Sequence, residues 1–354
     1  MLYHLSQTLQ QQFTVLNVVH YVSFRALAAL LSSLFFSLLW GDRFIEHSQR
    51  LFRSKAREWT PEAHRAKDDM PTMGGIFIIF IVLLNSLLWC NLAQVQVWLA
   101  LACLIGFGAI GCWDDWSKIR YRKGISAKAK FICQWGVAGI IALGLVYLNG
   151  TDTALVFPFI KDFQPHIGFL FIPWAMFVMV ALSNAVNLTD GLDGLAIGSL
   201  IPNFATFSVI CYLAGHYQFA QYLHIPFADS AELTVVGGIL VGASLGFLWY
   251  NTYPAQIFMG DVGALALGGI LAFMGLAAKQ EILLVLSGGL FVVETVSVML
   301  QVFSFRFWGK RIFKMAPIHH HFELLGWPES KITARFGIIS FVLCLLTLMT
   351  LKLR

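Results

Sequence analysis

SNAVNLTDGLDGLA, residues 183–196, joins two apolar runs, 167–182 before it and 195–213 after it. It holds two carboxylates, Asp190 and Asp193, and two amides, Asn184 and Asn187. Ionisable groups beside helices of hydrocarbon length are costly, so by default they mark a functional site. Gly191 and Gly194 permit a tight turn and let a ligand come close to the backbone. The plain alternative is a capped loop, in which Asn and Asp end one helix and start the next. The company this loop keeps in the rest of the chain weighs against that alternative.

Outward from the loop the chain stays apolar. Of 354 residues, 58% are hydrophobic and 12% charged, whereas a soluble domain averages roughly 25% charged. Apolar runs fall at 19–40, 73–90, 95–112, 131–148, 167–182, 195–213, 233–249, 255–278, 282–305 and 336–351. They are continuous rather than alternating, which excludes the pattern of a β-barrel, and their length suits helices crossing a bilayer. The reading is an all-α, polytopic integral membrane protein with ten transmembrane helices, forming one domain over residues 1–354. No cleavable leader is expected, because no Lys or Arg precedes Arg25. The six cysteines lie in or beside apolar runs without a CxxC pair, and read as small lipid- or core-facing residues.

Basic residues set the orientation. Nineteen of the 24 Lys and Arg fall in three loops: from Arg43 to Lys67, from Lys118 to Lys130, and from Arg306 to Arg335. Those loops are expected in the cytoplasm and both termini in the periplasm. WDDWSK (113–118), NLTDGLDG (187–194), NTYPAQIFMGDVG (251–263) and MAPIHHHFE (315–323) then gather on the cytoplasmic face. Asp152, Asp162, Asp229 and Glu232 in the outer loops read as solvated charges.

Asp114 and Asp115 end the third run, and such a pair suits a divalent cation, a proton acceptor, or both. A simple helix-end charge cluster is the competing reading. Adjacent helical residues point about 100° apart, so only one of the two is expected to do chemistry. Asp261 sits at a helix start, where the macrodipole alone favours an acid. Five carboxylates from three cytoplasmic segments repel one another unless cations compensate, and Mg²⁺ is the economical answer. Three consecutive histidines, His319, His320 and His321, make a poor zinc site and fit phosphate binding better. Glu294 and Gln301, seven residues apart, can face one interior groove. Clustered acids with flanking Lys and Arg favour phosphoryl transfer between a phosphorylated soluble substrate and a membrane-borne one. Neither a Walker A loop nor GxGxxG appears, and no nucleic acid partner is expected.

KxxxPTMGG at 67–75, WDDWSK, NAVNLTDGLDG, WYNTYPAQIFMGDVG, VVETVSVMLQV and KMAPIHHHFELLGWPE run in order along nearly the whole chain. Together they closely resemble the phospho-N-acetylmuramoyl-pentapeptide transferase (MraY) family, within the polyprenyl-phosphate N-acetylhexosamine-1-phosphate transferase superfamily. The resemblance implies transfer of phospho-MurNAc-pentapeptide from UDP-MurNAc-pentapeptide to undecaprenyl phosphate. It further implies lipid I and UMP as products, Mg²⁺ as cofactor and a homodimer among the lipids of the bacterial inner membrane. By the same resemblance Asp261 is the metal ligand and Asp114 and Asp115 the catalytic pair. Asn187, Asp190 and Asp193 are active-site polar groups, and Gly191, Leu192, Asp193, Asn251 and Phe258 form the uridine pocket. Lys67, Lys118 and Lys130 contact phosphate or nucleotide, and His319, His320 and His321, with catalytic His319 foremost, surround the diphosphate. Gln301 joins the substrate-binding set. The implied fold has a bent ninth helix lining a lipid groove. One departure stands out: where the family reads Gly-Thr before Pro71, this chain has Asp69 and Met70. A sibling transferase for UDP-GlcNAc would share the Asp motifs but not MAPIHHHFE. A transporter or flippase would place its polar residues near the midplane, often with inverted repeats; none is visible here.

Overall fold

A computed structural model describes residues 1–9, 12–51, 70–160 and 163–353. Lys67 and Asp69 lie outside these, as do Arg53, Lys55, Arg57, Arg65, Lys161 and Asp162. The described chain is helical, with no strand and a single isolated bridge between Ala154 and His166. Its elements are α1 (Leu2–Leu9), α2 (Val22–Leu51), α3 (Gly75–Trp89), α4 (Val95–Tyr121), α5 (Ala127–Leu143), α6 (Phe171–Thr189) and α7 (Leu195–Ala214). After them come α8 (Tyr217–Leu223), α9 (Leu233–Asn251), α10 (Gly260–Ala277), α11 (Leu283–Ser287), α12 (Gly289–Trp308), α13 (Ile318–Glu323) and α14 (Glu329–Thr350).

Among the described residues nine helices are long and apolar enough to cross a membrane. The second of the ten expected runs differs. It gives α3, which has only 15 residues, roughly 22 Å at 1.5 Å per residue and short of a hydrocarbon core of about 30 Å. The cause is local. Residues 71–75 are drawn into backbone bonds with the loop before α10: Phe258 N–H donates to Pro71 (2.9 Å), Gly74 N–H to Phe258 (2.9 Å) and Gly75 N–H to Met259 (2.9 Å). Residues 255–259 likewise precede α10 instead of belonging to it, and the ninth run is interrupted at Gly288, between α11 and α12.

Helix α10 is the hub, packed against α4, α6, α3 and α7, while α9 lies along α2 and α7. Small residues set these distances. A Cβ at Gly238 would meet the Ala26 carbonyl at 2.4 Å, one at Gly242 the Leu30 carbonyl at 2.1 Å, and one at Gly246 the Ser37 Cβ at 2.2 Å. This i, i+4 stripe brings α9 and α2 into backbone contact, as lipid-embedded helices require in place of a hydrophobic drive. By contrast α12 and α14 expose most of their apolar faces.

One outer-loop expectation is overturned. Glu232 is 8% exposed, and Arg25 donates to it through both terminal nitrogens, at 2.5 and 3.0 Å. The Asn91 N–H adds a third bond at 2.6 Å. A carboxylate at this depth is retained because an arginine fork satisfies it. Asp152 and Asp229 are exposed.

Candidate active site

Helix α4 carries WDDWSK at its end, and close approach to α10 decides what those residues face. A Cβ at Gly111, one turn before Asp114, would lie 2.3 Å from the carbonyl of Asp261. That glycine lets the two backbones touch and sets Asp261 against the carboxylate pair. Contrary to the single-acid expectation, both members of the pair converge on one site. Oxygens of Asp114, Asp115 and Asp261 lie within 4.8 Å of one another. Asp114 accepts from the Ile125 N–H (2.8 Å), and Asp115 from the Val262 N–H (3.2 Å). Each acid is therefore aimed by a backbone donor of a different segment.

Two lysines balance the charge. Lys118 Nζ reaches Asp114 at 2.8 Å, Asp261 at 3.0 Å and Asp115 at 3.2 Å. Lys130 reaches Asp114 at 3.4 Å and bonds to Asp261 as well. Three carboxylates with only oxygen donors are the hard ligand set that Mg²⁺ prefers. The residues present fit such an ion, which would share the acids with the two ammonium groups.

The 187–194 segment lies near enough to this cluster for the charges of Asp261 and Asp115 to act on Asp190. Burial pushes the Asp190 carboxyl up to about 8, with the charges of Asp261, Asp115 and Asp193 adding to the rise. Asp193 is buried and works as a brace, accepting from the Ala255 N–H at 3.0 Å. Its own N–H donates to Glu329 at 2.7 Å. Asn251 accepts from the Gly194 N–H (3.1 Å) and donates to the Ile257 carbonyl (2.7 Å), so both ends of its amide join the two loops. Gly194 holds φ +75°, a left-handed conformation that favours glycine. Leu192 points into an apolar cluster with Leu195, Leu290, Ile332 and Phe336. Of the residues expected in the uridine pocket, Gly191 is exposed and Phe258 half-buried; Asn187, expected as an active-site polar group, is half-buried as well.

The histidines arrive on α13. His319 is fully buried and lies on Gly191, where a Cβ would come within 2.3 Å of its Nε2. His320 Nδ1 lies 2.5 Å from Glu323 Oε2, and His321 Nδ1 accepts from the Lys314 N–H at 3.1 Å. Gln301 donates to the Phe313 carbonyl and accepts from the N–H groups of Ile312 and Phe313, all at 3.0 Å. It thus fastens the basic loop to α12. An open groove of about 540 Å³ runs beside it, walled by Val298, Val302 and Phe305 and rimmed by Arg306, Arg311 and Lys314. Sequence reasoning missed Glu329 as a brace. It follows Pro328 in the first turn of α14 and reads there as an ordinary helix-start acid.

The architecture is that of a polytopic membrane protein with an acid–lysine centre beneath a glycine-rich loop, and comparison with known proteins narrows this class. Residues 97–279 match the model of glycosyl transferase family 4. Over the full length of both chains, the protein is 50% identical to the phospho-N-acetylmuramoyl-pentapeptide-transferase of Solidesulfovibrio magneticus. It is 52% identical to that of Nitratidesulfovibrio vulgaris strain DP4 and 47% identical to that of Citrifermentans bemidjiense, again end to end. The chain belongs to glycosyl transferase family 4, within its phospho-N-acetylmuramoyl-pentapeptide-transferase members.

Proposed function

We propose that this chain moves phospho-MurNAc-pentapeptide from UDP-MurNAc-pentapeptide to undecaprenyl phosphate, giving lipid I and UMP. It works with Mg²⁺ on the cytoplasmic face of a bacterial inner membrane, as one domain and as a homodimer. Carrying this reading is the convergence of Asp114, Asp115 and Asp261 on two lysines, in a chain that matches the named transferases end to end.

In the reaction an oxygen of the lipid phosphate attacks the sugar-bearing phosphorus of the diphosphate. A new P–O bond forms there, the bond to the bridging oxygen breaks, and UMP leaves with the electron pair. Asp114, Asp115 and Asp261 would hold the ion, with Asp261 as its main ligand; when bound, it draws charge from the phosphate oxygens. Lys118 and Lys130 turn from the acids toward substrate phosphate as the donor enters. Phe258 stacks on the uracil, with Gly191 and Asn187 beside it. Asp193, Leu192 and Asn251 hold the pocket's shape from behind. The groove along α12 takes the polyprenyl chain, with Arg306, Arg311 and Lys314 at the end that receives its phosphate.

Asp114 removes the remaining proton from the lipid phosphate, a modest demand since a phosphate's second pKa is near 6. Direct attack follows, because positioning supplies what a covalent intermediate would. The test is turnover of purified protein with UDP-MurNAc-pentapeptide and undecaprenyl phosphate, against UDP-GlcNAc as rival donor. Lipid I from the first donor alone is expected. Preference for UDP-GlcNAc would overturn the substrate assignment. Exchange of labelled UMP into the donor without any lipid would replace direct attack by a phospho-enzyme.

A further inference from the structure

Glu294 and His319 form a buried pair outside the acid–lysine cluster. Both are 0% exposed, and Glu294 Oε2 lies 3.1 Å from His319 Nδ1. Among the described residues neither Glu294 Oε1 nor His319 Nε2 has a hydrogen-bond partner. The orphan nitrogen is the one that lies against Gly191, the residue after Asp190, on which the charges of Asp261 and Asp115 act. A carboxylate on Nδ1 fixes the plane of the ring and supports an imidazolium, whose second N–H then emerges at Nε2. The site lacks a Cβ at the one place where that nitrogen must pass. In Glu294, α12 carries an ionisable residue with no counterpart other than this histidine, which lies on α13. A buried acid with a single partner of that kind is an orienting element.

We infer that Glu294 is a positioning residue: it holds His319 so that Nε2–H is presented, past Gly191, to an anionic oxygen of the donor's diphosphate. This rests on the reading above that the histidine segment and the 187–194 loop receive the diphosphate. The bond strengthens as charge moves onto the oxygen bound for UMP, so its loss falls on kcat more than on KM.

Glu294→Gln keeps size and one hydrogen-bond acceptor but removes the charge. Its kcat should fall roughly 100-fold with KM for undecaprenyl phosphate unchanged, by analogy with the loss of an orienting acid. Glu294→Asp should recover part of that loss. In protein labelled with ¹⁵N-histidine and held in nanodiscs, the His319 ring signals should change in Glu294→Gln, because Nδ1 loses its carboxylate partner. Normal kcat in Glu294→Gln, or a His319 signal identical to the parent's, would overturn the inference. If Glu294→Gln does not fold, the doubly substituted Glu294→Asp, His319→Ala chain decides: an Asp effect that persists without His319 sinks the positioning role. His319→Ala separates the two levels. Full activity there rejects the diphosphate reading itself, whereas damage there with none in Glu294→Gln rejects the positioning role alone.

Discussion

Asp261 is where a single atom change tests most. Like Asp114 it meets both lysines, but from α10, and Asp261→Asn removes a charge with little change of shape. Turnover should fall by orders of magnitude with the folded chain intact, measured as lipid I formation beside a melting curve; near-normal rates at ordinary Mg²⁺ would remove Asp261 as the main ligand. Asp190 gives a pH signature. Its carboxyl stands near 8, above the ordinary value of 3.8, so at pH 7 it carries a proton. Burial is the main cause of that rise; a divalent ion on the acids offsets only the part that the charges of Asp261, Asp115 and Asp193 add, so the pKa drops and part of the proton is released. Adding Mg²⁺ in weak buffer at pH 7 should therefore acidify the solution, and Asp190→Asn should diminish the release. Phe258→Ala tests the uracil: base stacking on an aromatic is worth about 1–3 kcal/mol, so KM for the UDP-sugar should rise roughly 10-fold and KM for the lipid hold. Equal effects on both would return Phe258 to an interfacial belt role. The acids themselves were legible in sequence because charge among apolar runs stands out. Their partners were not: Lys118 and Lys130 read as phosphate ligands, and the bracing bonds of Asn251 and Asp193 went unread, since a hydrogen bond across 57 or 62 positions leaves no local pattern.

Helices were legible by length and composition, and their ends were not. α3 begins at Gly75 because the segment before it bonds to residues 258–259, a tertiary demand invisible to hydropathy. The break at Gly288 likewise falls inside one continuous apolar run. Close packing of α9 on α2 was written in the sequence as glycines at 238, 242 and 246, though spacing alone names no partner helix. That contact yields a stability prediction. At Gly242 an added Cβ meets a backbone carbonyl at 2.1 Å, which cannot swing aside as a side chain would. Overpacking of this kind costs about 1–3 kcal/mol, so Gly242→Val should lower the thermal midpoint in detergent by several degrees. Gly198→Val is the control, since a Cβ there meets nothing within 4 Å; a matching loss in both would show that valine in a glycine-rich helix, not the α9–α2 contact, sets the cost.

At the scale of the whole molecule the acids, lysines, histidines and basic groove share one end of the bundle, and the side of the membrane they face decides what they can meet. Nucleotide donors are cytoplasmic, so the proposed chemistry requires that end to be inside. Lys and Arg bias supplies the orientation independently of any motif: the loops next to the acid cluster and α13 hold twelve across the two segments from Lys118 to Lys130 and Arg306 to Arg335, both ends included. The opposite end carries the bridge between Ala154 and His166, the short helix α8 and the exposed Asp152. In a cysteine-free background, single cysteines at Lys123 and Lys310 should react with an impermeant maleimide only after the inner membrane is opened. A cysteine at Asp152 should react in intact spheroplasts. Because α3 is short, the crossing it makes is the weak point of a ten-pass count, and Gln94, half-buried just before α4, tests it directly. Labelling of Gln94→Cys from outside means that α2 and α3 both cross and that the even count with both termini in the periplasm stands. Labelling of the same position from inside would leave nine crossings, put the termini on opposite sides, and force a choice of which end of the bundle meets the nucleotide.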